Sequence, residues 1–149
     1  MAVIPDRMHH CDLGLFNYQV TYTRKLLKNV CGQIAVDEFD KRLAEIPRFA
    51  GLKIFKHGLE NIKRFTANEF RNMMKVLVFV VEGLIIKHHN NALEIKDAAI
   101  KKLDEKLTNV YVYWNQMYLY SRQDNFSETM LTEFKVGVYD YLFAYCIIL

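Results

Sequence analysis

From Ile100 to Met117 apolar residues recur at alternating steps of three and four: Ile100, Leu103, Leu107, Val110, Trp114 and Met117. That period places them on one face of a helix and suits packing along another helix. A chain carrying such a stripe must supply other helices to cover it. Residues 66–87 offer one. Thr66-Ala67-Asn68-Glu69 is a capping box, in which the hydroxyl and the carboxylate each satisfy a backbone N–H left unpaired in the first helical turn. It opens a helix through about Lys87 that is apolar enough to be the most buried of the fold. Val76 to Val81 alone also reads as a buried strand; the cap and the length favour helix.

Local signals delimit the other elements. Asp12 is a candidate N-cap for a helix through about Val30, with Leu13, Phe16, Val20, Leu26 and Leu27 as core contacts. Gly32 can end that helix in the left-handed conformation. A second helix from Gln33 to Ile46 brings Ile34, Phe39, Leu43 and Ile46 near one face, and Pro47 stops it. Residues 47–65 show no clean period and read as a long loop with at most one helical turn. His88 to Asn91 is a polar turn, Gln123 to Phe126 another, and Ser127 caps a final helix. The expected fold is all-α, an irregular bundle of about five helices with one long basic loop (47–65), in a single domain spanning 1–149. A composition of 52% hydrophobic and 25% charged residues is that of a chain that folds.

Several function classes are excluded at this level. Met1 to Pro5 has neither the basic start nor the apolar run of a secretory signal. The most apolar stretch, Met73 to Ile86, is 14 residues long and carries Lys75 and Glu82; a spanning helix needs about 20. No membrane partner is therefore expected; no small-molecule substrate, and no cofactor for the isolated chain, is expected either. Cys11, Cys31 and Cys146 form no C-x-x-C pair and are odd in number, which reads as reduced thiols of an intracellular protein.

Four groups of residues carry candidate chemistry. Asp6, His9, His10, Cys11 and Asp12 crowd seven positions. They are either a metal-associated cluster or an exposed N-terminal segment followed by an Asp cap. Zinc would need four ligands, and no second cluster is evident. Adjacent His88 and His89 fit a surface turn. Tyr111, Tyr113, Trp114, Tyr118 and Tyr120 can stack nucleic-acid bases or, at helical spacing, pack a core. In the loop, Arg48, Lys53, Lys56, Lys63 and Arg64 face one carboxylate, Glu60, a local surplus of four against a whole-chain net charge of +3. Phe49, Phe55 and Phe65 are interleaved. Such a loop can contact DNA phosphates, or it is a solvated loop whose phenylalanines tuck into the core.

DRMHHCDLGLF, followed by IPRFAGLKIFKHGLENIKRFTANEFRNMMKVLVFVVEGL and VYWNQMYLYSRQDNFSE, resembles the latter part of a eukaryotic DDE-type DNA transposase of the fungal Plavaka and CACTA group. The likeness runs from Pro5 to about Tyr145. In that family an Asp-x-x-His or Cys-x-x-His pair follows the second catalytic aspartate, and Asp6 and His9 match it by spacing. A helical insertion then precedes the final catalytic glutamate. The resemblance implies a parent that cuts and joins DNA with magnesium, a nuclear location, and Asp6, His9 and Asp12 as family-motif positions of structural or accessory role. Nothing upstream of Asp6 supplies the first two catalytic aspartates. The chain thus reads as a fragment, with 1–12 a stub of the nuclease core and 13–149 the insertion, and no catalytic residue of its own. The apolar end Cys146-Ile147-Ile148-Leu149 fits a truncated reading frame. The expected function is a transposase remnant, inactive alone, that contacts DNA through its basic loop. The alternative is a non-catalytic helical module that binds a protein or homodimerises.

Overall fold

The computed structural model describes Asp6 and residues 8–59, 65–89 and 96–148, and among these the chain is all-α. A π-helical segment, Met8–Phe16, runs into α1 (Asn17–Cys31). Then follow α2 (Gln33–Glu45), α3 (Ala67–Met74), α4 (Leu77–Val81) and α5 (Leu84–His88). The two longest helices, α6 (Asp97–Tyr120) and α7 (Glu128–Ile148), close the chain. α6 packs along α7 and also against α4 and α5, while α2 covers α1, α4 and α5. No helix of the described residues is long and apolar enough to cross a membrane.

Thr66, Gly32 and Ser127 act where the sequence puts them. Thr66 Oγ1 accepts the N–H of Glu69 at 3.4 Å, and Glu69 Oε2 accepts the N–H of Thr66 at 2.5 Å. Gly32, at φ 82°, ends α1 and donates its N–H to the Lys28 carbonyl at 3.0 Å. Ser127 Oγ accepts the Met130 N–H at 3.2 Å. Thr66→Ala is expected to cost about 1 kcal/mol, read as a lower urea midpoint with an unchanged denaturant slope.

Two helix limits are corrected. The first helix starts earlier than Leu13, and its cap is Asp6, whose Oδ1 accepts the N–H groups of Met8 at 3.0 Å and His9 at 3.2 Å. Asp12 therefore lies inside the π-helical segment, where Gly14 is crowded by the carbonyl oxygen of His9; a Cβ there would sit 2.9 Å from it. The single helix expected over 66–87 is instead three, with breaks at residues 75–76 and 82–83. Gly83 takes φ 70°, the left-handed region that side chains resist. Distant residues hold the second break. Arg42 of α2 donates through Nη1 to the carbonyls of Val80 (3.2 Å) and Glu82 (2.7 Å), where α4 runs out. Asp104 of α6 accepts the N–H groups of Gly83, Ile85 and Ile86, where α5 begins. Cation at a C-terminus and anion at an N-terminus is the polarity that helix dipoles favour. Glu38 fixes Arg42 in turn, and its ion pairs, with Lys87 first and Arg42 second, hold its carboxyl down to about 2.

The core runs through the 66–87 region as expected: Phe70, Met73, Leu77, Val80, Val81, Leu84 and Ile85 are each at most 1% exposed. Phe16, Tyr111 and Trp114 join it from the first helix and α6, with Phe16 and Trp114 centroids 5.3 Å apart. Ile34, placed by period on the buried face of α2, is instead 62% exposed.

Candidate nucleic-acid interface

The acidic and imidazole cluster near the N-terminus is drawn apart by the fold. Asp6 is exposed, and His9 Nδ1 donates to its Oδ2 at 2.6 Å. This bond first, and then the backbone N–H of His9, pulls the Asp6 carboxyl below its ordinary range. His10 Nδ1 lies 2.9 Å from the Asp6 carbonyl oxygen. Asp12 faces the other way, wholly buried, with Arg71 Nε donating to its Oδ2 at 2.7 Å. So Asp12 is neither a helix cap nor a neighbour of Asp6. A divalent cation such as magnesium needs several oxygen ligands converging on one point. Asp6 spends its oxygens on N–H donors and Asp12 on a guanidinium, and among the described residues no group of three His, Cys, Asp or Glu side chains comes together to hold a metal. The donor set does not fit the magnesium that the family resemblance implies.

The basic segment is held against the bundle at several points. The Lys53 N–H donates to Asn72 Oδ1 of α3 at 3.2 Å, and the Leu59 N–H to Asp40 Oδ1 of α2 at 3.1 Å. Asp40 also pairs with Arg24 of α1. Gly58, at φ 56°, lies so close that a Cβ would sit 2.4 Å from that of Asp40. Of the interleaved aromatics, Phe55 is buried and meets Phe65 at 5.7 Å, whereas Phe49 is 76% exposed.

This attachment sorts the cations. Lys53 is paired with Glu69, which draws the Glu69 carboxyl below its usual range. Arg48 and Lys56 are exposed and have no ion-pair partner among the described residues. Lys63 and Arg64, with Glu60, lie outside the described residues.

The aromatic-rich part of α6 is mainly core: Tyr111, Trp114 and Tyr118 are at most 8% exposed. Burial pushes the Tyr111 hydroxyl upward, and Thr23 Oγ1 meets it at 2.8 Å. Cys31 is also buried; burial first, and then Asp104, raises its thiol to about 11, so it is a protonated packing group and no nucleophile. His88 ends α5 instead of opening a turn, and His89 Nδ1 lies 3.0 Å from the Ile86 carbonyl oxygen.

Arg71 and Asp104 stand in no sequence motif, since their partners lie far off in the chain. No protein-family model, curated protein or solved structure matches this chain.

Proposed function

We propose that the chain is a transposase-derived helical module without catalysis of its own, which contacts DNA phosphates through the basic segment of residues 47–65. Arg48 and Lys56 carry this reading: both are exposed and unpaired among the described residues, on a segment anchored to α2 and α3. Anchored cations lose less freedom on meeting a phosphate than cations on a loose loop. Lys53 contributes less than its charge suggests, because Glu69 already neutralises it. A nuclear location belongs to the same proposal, and the phrases that resemble Plavaka and CACTA transposases are its support.

The test is the salt dependence of binding to mixed-sequence duplex DNA by fluorescence anisotropy. Removing one cation that engages a phosphate should flatten the slope of log affinity against log salt by about 0.9. Arg48→Gln with Lys56→Gln is expected to flatten it by up to about 1.8, and Lys53→Gln alone by less than about 0.9. An unchanged slope in the double variant removes this segment as the DNA-binding surface.

A second reading has its own observation. α7 exposes Leu131, Val136, Tyr139, Leu142 and Phe143, with Tyr139 72% and Phe143 71% exposed. An apolar helix face of this kind marks a protein contact, so the module would bind a partner helix or a second copy of itself. Tight self-association that ignores salt would favour this reading over DNA contact.

A further inference from the structure

We propose that a groove between α3 and the C-terminal end of α6 holds one nucleotide unit of single-stranded DNA. Its phosphate would lie on Lys75 and Arg122, and its base against the Arg122 guanidinium plane and Leu119. This rests on the DNA-contact reading and adds a site separate from the basic segment.

The groove encloses about 410 Å³, within the roughly 300–1,000 Å³ of small-ligand sites. Its wall carries Arg71, Lys75 and Arg122 and no carboxylate side chain. Asp12, beside Arg71, is buried and already engaged by Arg71 Nε. That bond fixes the Arg71 side chain, which remains 38% exposed. Lys75 and Arg122 are exposed and have no ion-pair partner among the described residues. An anion is therefore the complement of the wall.

The floor has a different character. Met74, Tyr118 and Leu119 make it apolar, and Leu119 is 64% exposed. The Arg122 guanidinium lies over the Tyr118 ring, 6.0 Å from its centroid, which steadies a flat cationic surface. Guanidinium planes stack on unpaired bases, and the Asn115 amide at the wall offers both a donor and an acceptor to a base edge. Cations beside an apolar lining match a phosphate joined to a base. A duplex keeps its bases stacked and paired, so it can use the wall but not the floor. A single strand can use both.

The experiment measures anisotropy of a labelled oligothymidine, and of a duplex of equal length, at several salt concentrations. Lys75→Gln with Arg122→Gln should flatten the single-strand slope by about 1.4, at roughly 0.7 per phosphate. Both residues are exposed, so an unchanged melting temperature certifies the fold. Arg122→Lys keeps the charge and loses the plane; the slope should hold while affinity falls about fivefold or more. An unchanged slope in the double variant, or an equal loss of affinity on duplex and single strand in Arg122→Lys, overturns the proposal. Displacement of the oligothymidine by equimolar ATP would assign the groove to free nucleotides and overturn the strand. Tighter binding of an oligouridine would overturn the choice of DNA. The two sites separate cleanly. If Arg48→Gln with Lys56→Gln leaves duplex binding intact while the groove variant loses the single strand, the basic-segment reading fails and the groove stands. The reverse pattern sinks the groove alone.

Discussion

Arg71→Met is expected to destabilise the fold by about 2–4 kcal/mol, somewhat less than the about 3–5 kcal/mol of a fully buried pair because the Arg71 side chain is 38% exposed. Asp12 is wholly buried, Arg71 Nε donates to its Oδ2, and its Oδ1 has no hydrogen-bond partner. Without Arg71 a carboxylate remains in the core with no charge partner and only the Tyr118 hydroxyl beside it. The cost is the stranded charge and not the missing attraction, because desolvation offsets most of what a buried pair contributes. Asp12→Leu with Arg71→Met should therefore recover much of the loss. Urea denaturation of both single variants and the double variant measures it as a cycle. A single Arg71→Met variant within about 0.5 kcal/mol of the parent, as for a surface substitution, would contradict the buried ion pair as the support of Asp12.

Asp104→Ala should cost about 2–4 kcal/mol, since a buried donor left unpaired costs about 1–3 kcal/mol and water can reach part of this site. The Asp104 carboxylate accepts three N–H groups at the start of α5, at 2.9 Å from Gly83, 2.9 Å from Ile85 and 3.4 Å from Ile86. Asp104→Asn keeps one acceptor oxygen and should lose roughly half as much, because charge assistance about doubles such bonds. Hydrogen exchange gives the local readout: the amides of Gly83, Ile85 and Ile86 should exchange faster in Asp104→Ala. Unchanged protection at all three would show that the break between α4 and α5 holds itself.

These two carboxylates mark where sequence reading ends. Thr66, Gly32 and Ser127 act on N–H and carbonyl groups a few residues away, and Pro47 on the backbone of Ile46 before it, so their signals are local and legible. Asp12 meets Arg71 across 59 positions and Asp104 meets Gly83 across 21, and no period or spacing encodes such a pairing. A carboxylate just before an apolar helix looks like a cap whether its side chain turns back or inward. The split of residues 66–87 has one local sign, Gly83 within an apolar helical run. Its cause, however, is the reach of Arg42 and Asp104 from neighbouring helices. Ile34 fails differently: helical period places a residue on a face, but only packing decides whether that face is covered.

The candidate interface divides the same way. The surplus of cations over 47–65 is visible in the letters, while their availability is not, because Glu69 claims Lys53 only once α3 has folded. Arg71 of α3, Lys75 just after it and Arg122 just past α6 are scattered along the chain, and only the fold gathers them around one groove.

The most direct test of a DNA-contacting module is the unaltered protein, titrated into two unrelated labelled duplexes while salt is raised. Phosphate contact predicts binding of similar strength to both, because phosphates carry no base information. Log affinity should fall linearly with log salt, by about 0.9 for each phosphate engaged. Absence of binding even at the lowest salt, or an affinity that does not change with salt, would contradict a phosphate-contacting module.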